Sequence, residues 1–571
     1  MNPEHTPVLQ PSPRSAPDRH APTAEDEATR LLAAAAHADD EFADTITEEY
    51  LRDPRRAVPP SPGLNAATVL REVIKARRRR LRRDGTTIVL FLLVLWFWWP
   101  VSLLWPVAAV VLAAVTGGLK ISTMRGVTAR RGASVAASIV AVLIGFILLL
   151  PLAGLFFGYF VGVVGGSSLT QLLGLLAGLA LLAVLLHDQW HVRQLLATTF
   201  DRANFHRSQV PETTGSDPIG PQHEQRLAQV THNSNGNLIV HHGHQAFVGY
   251  GELLNAWSMV MHLRKKDSDD QPSVADPPVQ LDVAEIHRAV SREMLRLRDA
   301  EGLAPGFRLR DLAEGEQVVI SSTALLRHRD FDRLTRSILP TLDSAPNGFL
   351  TEAQVREIST GSREWIRSYR GYQIDSWDED LVITAFLRIS CGDGVLYLEW
   401  SVFRLNPISD RYRWEMWELA SPRQTLGVVL STAVGYPLSL LARLRRLGRA
   451  GLAMMKETPT RIHPDVYGAR KSIREIATAA EPQNYFQDVD TIRYLRLLEE
   501  RLLVAVRRFL EQAGLSTEDF DQQRQTVVNS TVINGGQFSG VNVVGQGNRA
   551  QGNQAQGNQA QGRTGSGQGG K

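Results

Sequence analysis

Residues 86–119 read TTIVLFLLVLWFWWPVSLLWPVAAVVLAAVTGGL, and residues 132–186 read GASVAASIVAVLIGFILLLPLAGLFFGYFVGVVGGSSLTQLLGLLAGLALLAVLL. A basic connector, KISTMRGVTARR (120–131), separates them, and neither block holds an Asp, Glu, Lys, Arg or His. About 20 apolar residues cross a bilayer core of roughly 30 Å, so both blocks predict membrane helices. The first would run to about 50 Å as one straight helix. Pro100 and Pro106 interrupt it, and Trp96, Trp98, Trp99 and Trp105 gather there. Proline breaks or kinks a helix and tryptophan favours the membrane–water interface. The block therefore predicts a hairpin with its tip near 99–106, with one kinked, tilted helix as the alternative. The second block divides into a helix over 134–157, a turn at Gly165-Gly166-Ser167-Ser168, and a helix over 169–186.

Charge bias favours the even count. REVIKARRRRLRR (71–83) precedes the first block, Lys120, Arg125, Arg130 and Arg131 lie in the connector, and Arg193 follows the second block. Excess Lys and Arg mark cytoplasmic flanks, and four passes put all three flanks on that side. The expected fold class is a multi-pass α-helical membrane protein, with four transmembrane helices as two hairpins. It would carry a cytoplasmic α+β domain, a C-terminal helical segment and disordered ends. Both termini would be cytoplasmic, at the plasma membrane.

Two sets of residues in and beside this region suggest contacts. Gly154, Gly158, Gly162 and Gly166 recur every four residues, and Gly174 and Gly178 repeat the spacing. Such stripes let helix backbones approach closely in lipid, for packing inside the bundle first and for a homo-oligomer second. Arg77, Arg78, Arg79, Arg80, Arg82 and Arg83 read as a topology signal touching anionic lipid headgroups. The charge-free spans argue against pumps and ion-coupled carriers, which keep ionisable side chains at depth.

Outside the blocks, the chain of 571 residues has one cysteine, Cys391, and a net charge of +3. No intramolecular disulfide can form, which suits a reducing compartment. The basic residues concentrate beside the apolar blocks rather than spreading as a nucleic-acid footprint, so no nucleic-acid partner is expected. Residues 1–22 read as disordered and 23–85 as a helical region broken by VPPSPG (58–63). A linker over 188–234 leads to an α+β domain over 235–420 with a mainly antiparallel sheet. Its signals are strands at 256–263 and 317–321, and alternating Leu381, Ile383, Ala385, Leu387 and Ile389. A hairpin turn at Cys391-Gly392-Asp393-Gly394 follows, with a strand over 395–405. Asp282 caps a helix over 283–299.

Residues 425–442 are uncharged and followed by arginines, and within 421–450 they predict an interfacial or re-entrant helix rather than a fifth span. A C-terminal helical segment covers 451–525, with Asp490 as the cap of a long helix carrying Leu495, Leu498, Leu502, Ala505 and Phe509. The segment 526–548 has two β-prone cores, Thr531-Val532-Ile533 and Val541-Asn542-Val543-Val544, which suit self-assembly, a flexible tail or an edge hairpin. Residues 549–571 are a low-complexity repeat, expected to be disordered.

Chemistry is sparse. His241, His242 and His244 form the loudest metal-like cluster, but neighbours on a strand point to opposite faces. Gly249 and Gly251 form a lone G-x-G without the third glycine of a phosphate-binding loop, so a turn explains them better. No metal, cofactor or catalytic residue is expected. YLRDPRRAVPPSPG (50–63), AFVGYGELLNAWSM (246–259), YGARKSIREIA (467–477) and NYFQDVDTIRYL (484–495) together resemble uncharacterised multi-pass membrane proteins of Streptomyces-type actinobacteria. That resemblance implies an architecture and brings no activity. The expected function is a membrane-anchored cytoplasmic interaction or signalling scaffold, with the bilayer and cytoplasmic proteins as partners. A small channel or transporter subunit is the second reading, and a membrane-tethered enzyme the third.

Overall fold

A computed structural model describes residues 24–97, 127–128, 168–208, 221–266, 281–299, 309, 311–361, 363–377, 380–413, 418–419, 422–455, 462–530 and 541–544. The first apolar block does not begin a helix of its own. Helix α3 runs unbroken from Ala66 to Phe97, through the arginines and into the apolar stretch. Arginine is a good helix former, and Gly85 alone costs about 1 kcal/mol, too little to stop a helix packed on both sides. The first half of α3 buries Val69, Leu70, Val73 and Ile74 against the alanine-rich α1 (Ala24–Ala38). Asp39 caps the following α2 (Asp40–Ile46), its carboxylate accepting from Glu41 N–H at 2.9 Å. Helix α4 (Ser168–Thr198) returns antiparallel along α3, with Leu181 and Leu185 against Phe91 at one end and Val192 and Leu196 in the α1–α3 core at the other.

This overturns the multi-pass architecture of four transmembrane helices as two hairpins. Among the described residues one helix, over Leu172–Thr198, is long and apolar enough to cross a membrane. Residues 86–97 continue a helix whose beginning packs in a polar-flanked core, and part of their apolar surface is used inside the fold. The hairpin tip near 99–106 and the helix over 134–157 lie outside the described residues. Residues 425–442 are not one helix either: α5 (Pro422–Val434) and α6 (Tyr436–Met455) are separated at Gly435.

The rest is built on a mixed sheet. Its strands are β2 (Leu238–His241), β3 (Glu252–His262), β4 (Leu312–Ser321), β5 (Ile366–Ser376), β6 (Leu381–Gly392), β7 (Val395–Leu405) and the short β9 (Val541–Val544). Their order is β2-β4-β5-β6-β7-β3-β9. The β2–β4 and β3–β9 pairs are parallel and the other four antiparallel. A separate two-residue ladder joins β1 (Val127–Thr128) to β8 (Glu418–Leu419). The β6–β7 hairpin turns at Asp393 and Gly394, both at positive φ (50° and 74°), as a tight two-residue turn requires.

Leu381, Ile383, Ala385, Leu387 and Ile389 all line one face of the sheet. That face is covered by α7 (Val283–Asp299) and α8 (Tyr485–Gln512), which contribute Ile286, Val290, Met294, Leu495, Leu498 and Leu502. Trp257 and Trp400 are fully buried beneath them, and the Trp257 indole donates to Glu499 Oε1 at 2.5 Å. The cap of α8 is Asn484, in a capping box with Gln487, not Asp490. Asp490 instead accepts from the Trp377 indole at 3.1 Å. On the opposite face Phe247, Tyr369, Phe386 and Phe403 form an aromatic cluster, with Phe247 and Phe386 stacked at 4.4 Å.

The G-x-G turn joins the helical part to the sheet. Gly249 (φ +106°) and Gly251 (φ +85°) sit so close to neighbouring backbone that a Cβ would lie 2.3 Å from Pro60 O and 2.2 Å from Arg404 O. Glu475 Oε1 accepts from both glycine N–H groups, at 2.8 and 3.1 Å. Its Oε2 accepts from Ser472 N–H at 2.7 Å, closing the capping box of a short helix, Ile473–Ala477. Tyr50 OH accepts from Ile473 N–H, and Ala57 N–H donates to Tyr467 O at 2.8 Å. Three of the segments that carry the resemblance, 50–63, 246–259 and 467–477, thus meet at one joint. Glu475 thereby occupies the two glycine N–H groups that a phosphate would need.

Candidate functional site: a charged layer beneath an apolar cap

Four helices bring charged side chains to one level of the fold. Arg79, Arg80, Arg83 and Asp84 project from α3 at helical spacing, Asp188 from α4, Asp40 and Asp44 from α2, and Arg443 and Arg446 from α6. Asp84 is 0% exposed. Its Oδ1 accepts from Arg83 at 2.7 and 2.9 Å and from Arg443 at 2.6 Å, and Arg446 lies 3.6 Å from its other oxygen. Arg83 also reaches Asp188 at 2.9 Å, and Arg79 reaches the same carboxylate at 3.2 Å. Arg80 pairs with Asp40 at 2.7 Å and donates to the carbonyls of Ala36 and Asp39 at 2.6 and 3.1 Å. Arg446 links Asp40 at 3.1 Å to Asp44 at 3.8 Å. Five guanidinium groups thus face four carboxylates. Burying such charges costs several kcal/mol each unless they pair and hydrogen-bond, and here each has an opposite charge within reach.

Beside the layer, His37 is buried between α1 and α3. Its Nε2 is 2.9 Å from Glu72, and Arg79 donates to its Nδ1 at 3.2 Å. A ring nitrogen that accepts from arginine carries no proton, and burial holds the imidazole below its ordinary pKa.

Beyond the layer the usual pattern inverts. Among the described residues a small interior forms between the ends of α3 and α4 and helices α5 and α6, from Phe91, Leu181, Leu185, Val429, Ala433 and Tyr436. Tyr436 donates to Thr87 Oγ1 at 2.9 Å, and Arg443 covers its ring at 4.8 Å. Large apolar side chains face outward around this interior. They include Val89, Leu92 and Trp96 on α3, Leu169, Leu172, Leu176 and Leu179 on α4, and Leu438, Leu441 and Leu444 on α6. Trp96 is 80% exposed and Leu169 62%. A contiguous exposed apolar surface of this kind marks a contact with lipid or another protein.

The six arginines singled out in the sequence divide. Arg79, Arg80 and Arg83 are consumed in the charged layer, Arg82 is exposed, and Arg77 and Arg78 are half-buried. Gly174 and Gly178 lie on α4, and a Cβ at Gly178 would meet nothing within 4 Å. Gly154, Gly158, Gly162 and Gly166 lie outside the described residues. Among the described residues no three His, Cys, Asp or Glu side chains converge as metal ligands. His241 Nδ1 lies 3.1 Å from Gly243 O, and His242 lies 3.3 Å from Asp465.

Sequence reasoning passed over Asp84 and Asp188. Their signal was position: each is the acid that borders an apolar block, directly against a run of arginines or at the block's far end.

A family model described as AbeC-like domain matches residues 256–542, from β3 to β9 and including α5 and α6. No curated protein and no solved structure matches the chain.

Proposed function

The chain belongs to the AbeC-like domain family, and on that premise we propose that it is a membrane-anchored interaction scaffold that holds its α/β part against the cytoplasmic face of a bilayer. The observation that carries this reading is the outward-facing apolar cap on α3, α4 and α6 above a level of paired charges. Leucine and tryptophan exposed in this density stabilise a fold only when something apolar covers them, at roughly 25 cal/mol per Å². A bilayer does so, while the ion pairs keep the charges at its boundary satisfied. Arg82, with Arg77 and Arg78 beside it, lies within reach of anionic headgroups at that boundary. The scaffold role is supported by the large two-faced sheet domain.

The experiment is flotation of the full-length protein with vesicles of phosphatidylcholine containing about 30% phosphatidylglycerol, followed by a high-salt wash. Retention that survives the wash, and that is lost on Leu172→Glu/Leu176→Glu, is the expected result. A protein that stays at the bottom of the gradient, as a stable detergent-free oligomer with the cap covered by a second copy, would overturn the reading.

A further inference from the structure

The outer edge of β3 is covered piece by piece, and each piece is different. Past its end, Ser516 N–H donates to Arg264 O at 2.8 Å and Lys266 N–H donates to Gly514 O at 3.1 Å, from the turn that follows α8. At Val260 the cover is a side chain. Gln523, on helix α9 (Glu518–Ser530), donates from Nε2 to Val260 O at 2.7 Å and accepts from Val260 N–H at 3.3 Å. Its amide takes the place of a peptide group from a neighbouring strand. Alternate residues of a strand turn their N–H and C=O to the same side, so Val260, Ser258 and Ala256 all present theirs to this edge. The last two face β9, which pairs in parallel with Ala256–Met259. Among the described residues, no strand pairs with residues 252–255 on that side.

An uncovered edge is a template for another strand. Here the strand that covers it is four residues long, pairs through backbone, and is separated from α9 by the ten residues 531–540. Backbone pairing is the same whichever copy supplies the strand. We propose that the edge of β3 is a strand-acceptor site whose second occupant is the 541–544 segment of another copy of this chain, and that reciprocal exchange of the two tails closes a dimer. A tether of ten residues spans at most about 35 Å and gives the chain's own strand an effective concentration of order millimolar. Exchange therefore sets in where copies are crowded. The site is independent of the membrane reading, since it uses neither the cap nor the charged layer.

The test places cysteines across the observed register, in which Ser258 faces Val543. Full-length Ser258→Cys and Val543→Cys chains, each also Cys391→Ser, are co-expressed, purified in detergent, concentrated and mildly oxidised. The expected product is an interchain disulfide between positions 258 and 543, identified by peptide mapping, at least tenfold above a control pairing Ser258→Cys with Ser566→Cys. Both cysteines in one chain should instead close an intrachain link and abolish the concentration-dependent dimer. No interchain product above the control at any concentration would overturn the proposal, whether or not the intrachain link forms.

Discussion

Asp84→Asn is the sharpest probe of the charged layer. The substitution keeps shape and removes one charge, so Arg443 loses its 2.6 Å partner, while Arg83 keeps Asp188 at 2.9 Å and, more distantly, Asp40 at 3.9 Å. Removing one partner of a buried pair costs about 3–5 kcal/mol, because the remaining charge stays buried. Arg83 retains a carboxylate and Arg446 lies close by, so the lower end, about 3 kcal/mol, is the expectation. The assay is native-state hydrogen exchange, read separately in the helices and in the sheet. A loss of about 3 kcal/mol lowers protection by about 150-fold in amides whose opening breaks the layer. Those amides lie in α3 from Thr87 to Val94 and in α4 from Leu181 to Val192, while β6 amides from Thr384 to Leu387 should keep theirs. Glu48→Gln, which removes an exposed partner of Arg52, is the control and should change nothing. Protection in α3 and α4 that stays within threefold of the parent, or that falls equally in β6, would refute the argument that this layer holds the cap to the bundle.

Four further outcomes follow from the same geometry. Gly251→Ala places a Cβ 2.2 Å from Arg404 O at φ +85° and should destabilise by about 3 kcal/mol in a denaturant midpoint. Gly178→Ala, with open space at its Cβ, should instead stabilise α4 by up to about 1 kcal/mol. His287, half-buried as a residue, has a buried Nδ1 without a partner, and burial followed by the charge of Arg370 pushes its pKa down to about 3. The unfolded imidazole protonates near 6.5 and the folded one only near 3, so the unfolded state takes up the proton first. Stability should be full above pH 6.5 and fall toward pH 3, at up to about 1.4 kcal/mol per pH unit. His287→Leu should flatten that slope in urea midpoints taken between pH 7.5 and 4.5. Trp257→Phe removes the hydrogen bond to Glu499 and leaves a buried carboxylate short of a donor, at a cost of about 2 kcal/mol in the same assay.

Local pattern carried much of the sheet. The alternation of Leu381 through Ile389 placed five side chains on one face, and Gly392-Asp393-Gly394 announced the hairpin, because both signals lie within a dozen residues. Asp282 was legible as a cap, accepting from Ala284 N–H at 2.9 Å. The parallel pairs were not legible. β2 meets β4 between residues 80 positions apart, and nothing local distinguishes such a partner from an antiparallel neighbour. The two apolar blocks misled for a related reason. Hydropathy reports composition, and it does not register that α3 began twenty residues earlier in a packed core or that Phe91 and Val94 are used internally. The charged layer was invisible as a site because its members are up to 406 residues apart, as with Arg446 and Asp40. Arginines at 77–83 looked alike in the sequence, and only their neighbours separate those that neutralise aspartates from those left at the surface.

Helix α3 has one further consequence. It is a single rod of 32 residues, with one end among the outward leucines and the other six residues past Pro60, which abuts the Gly249 turn. Between Asp84 and Ala66 lie about 27 Å of unbroken helix, so a swing of roughly 10° about the aspartate would carry the far end through about 5 Å. The rod would act as a lever: a shift in whatever surrounds the leucines becomes a tilt felt in the core that Val69, Leu70, Val73 and Ile74 share with α1.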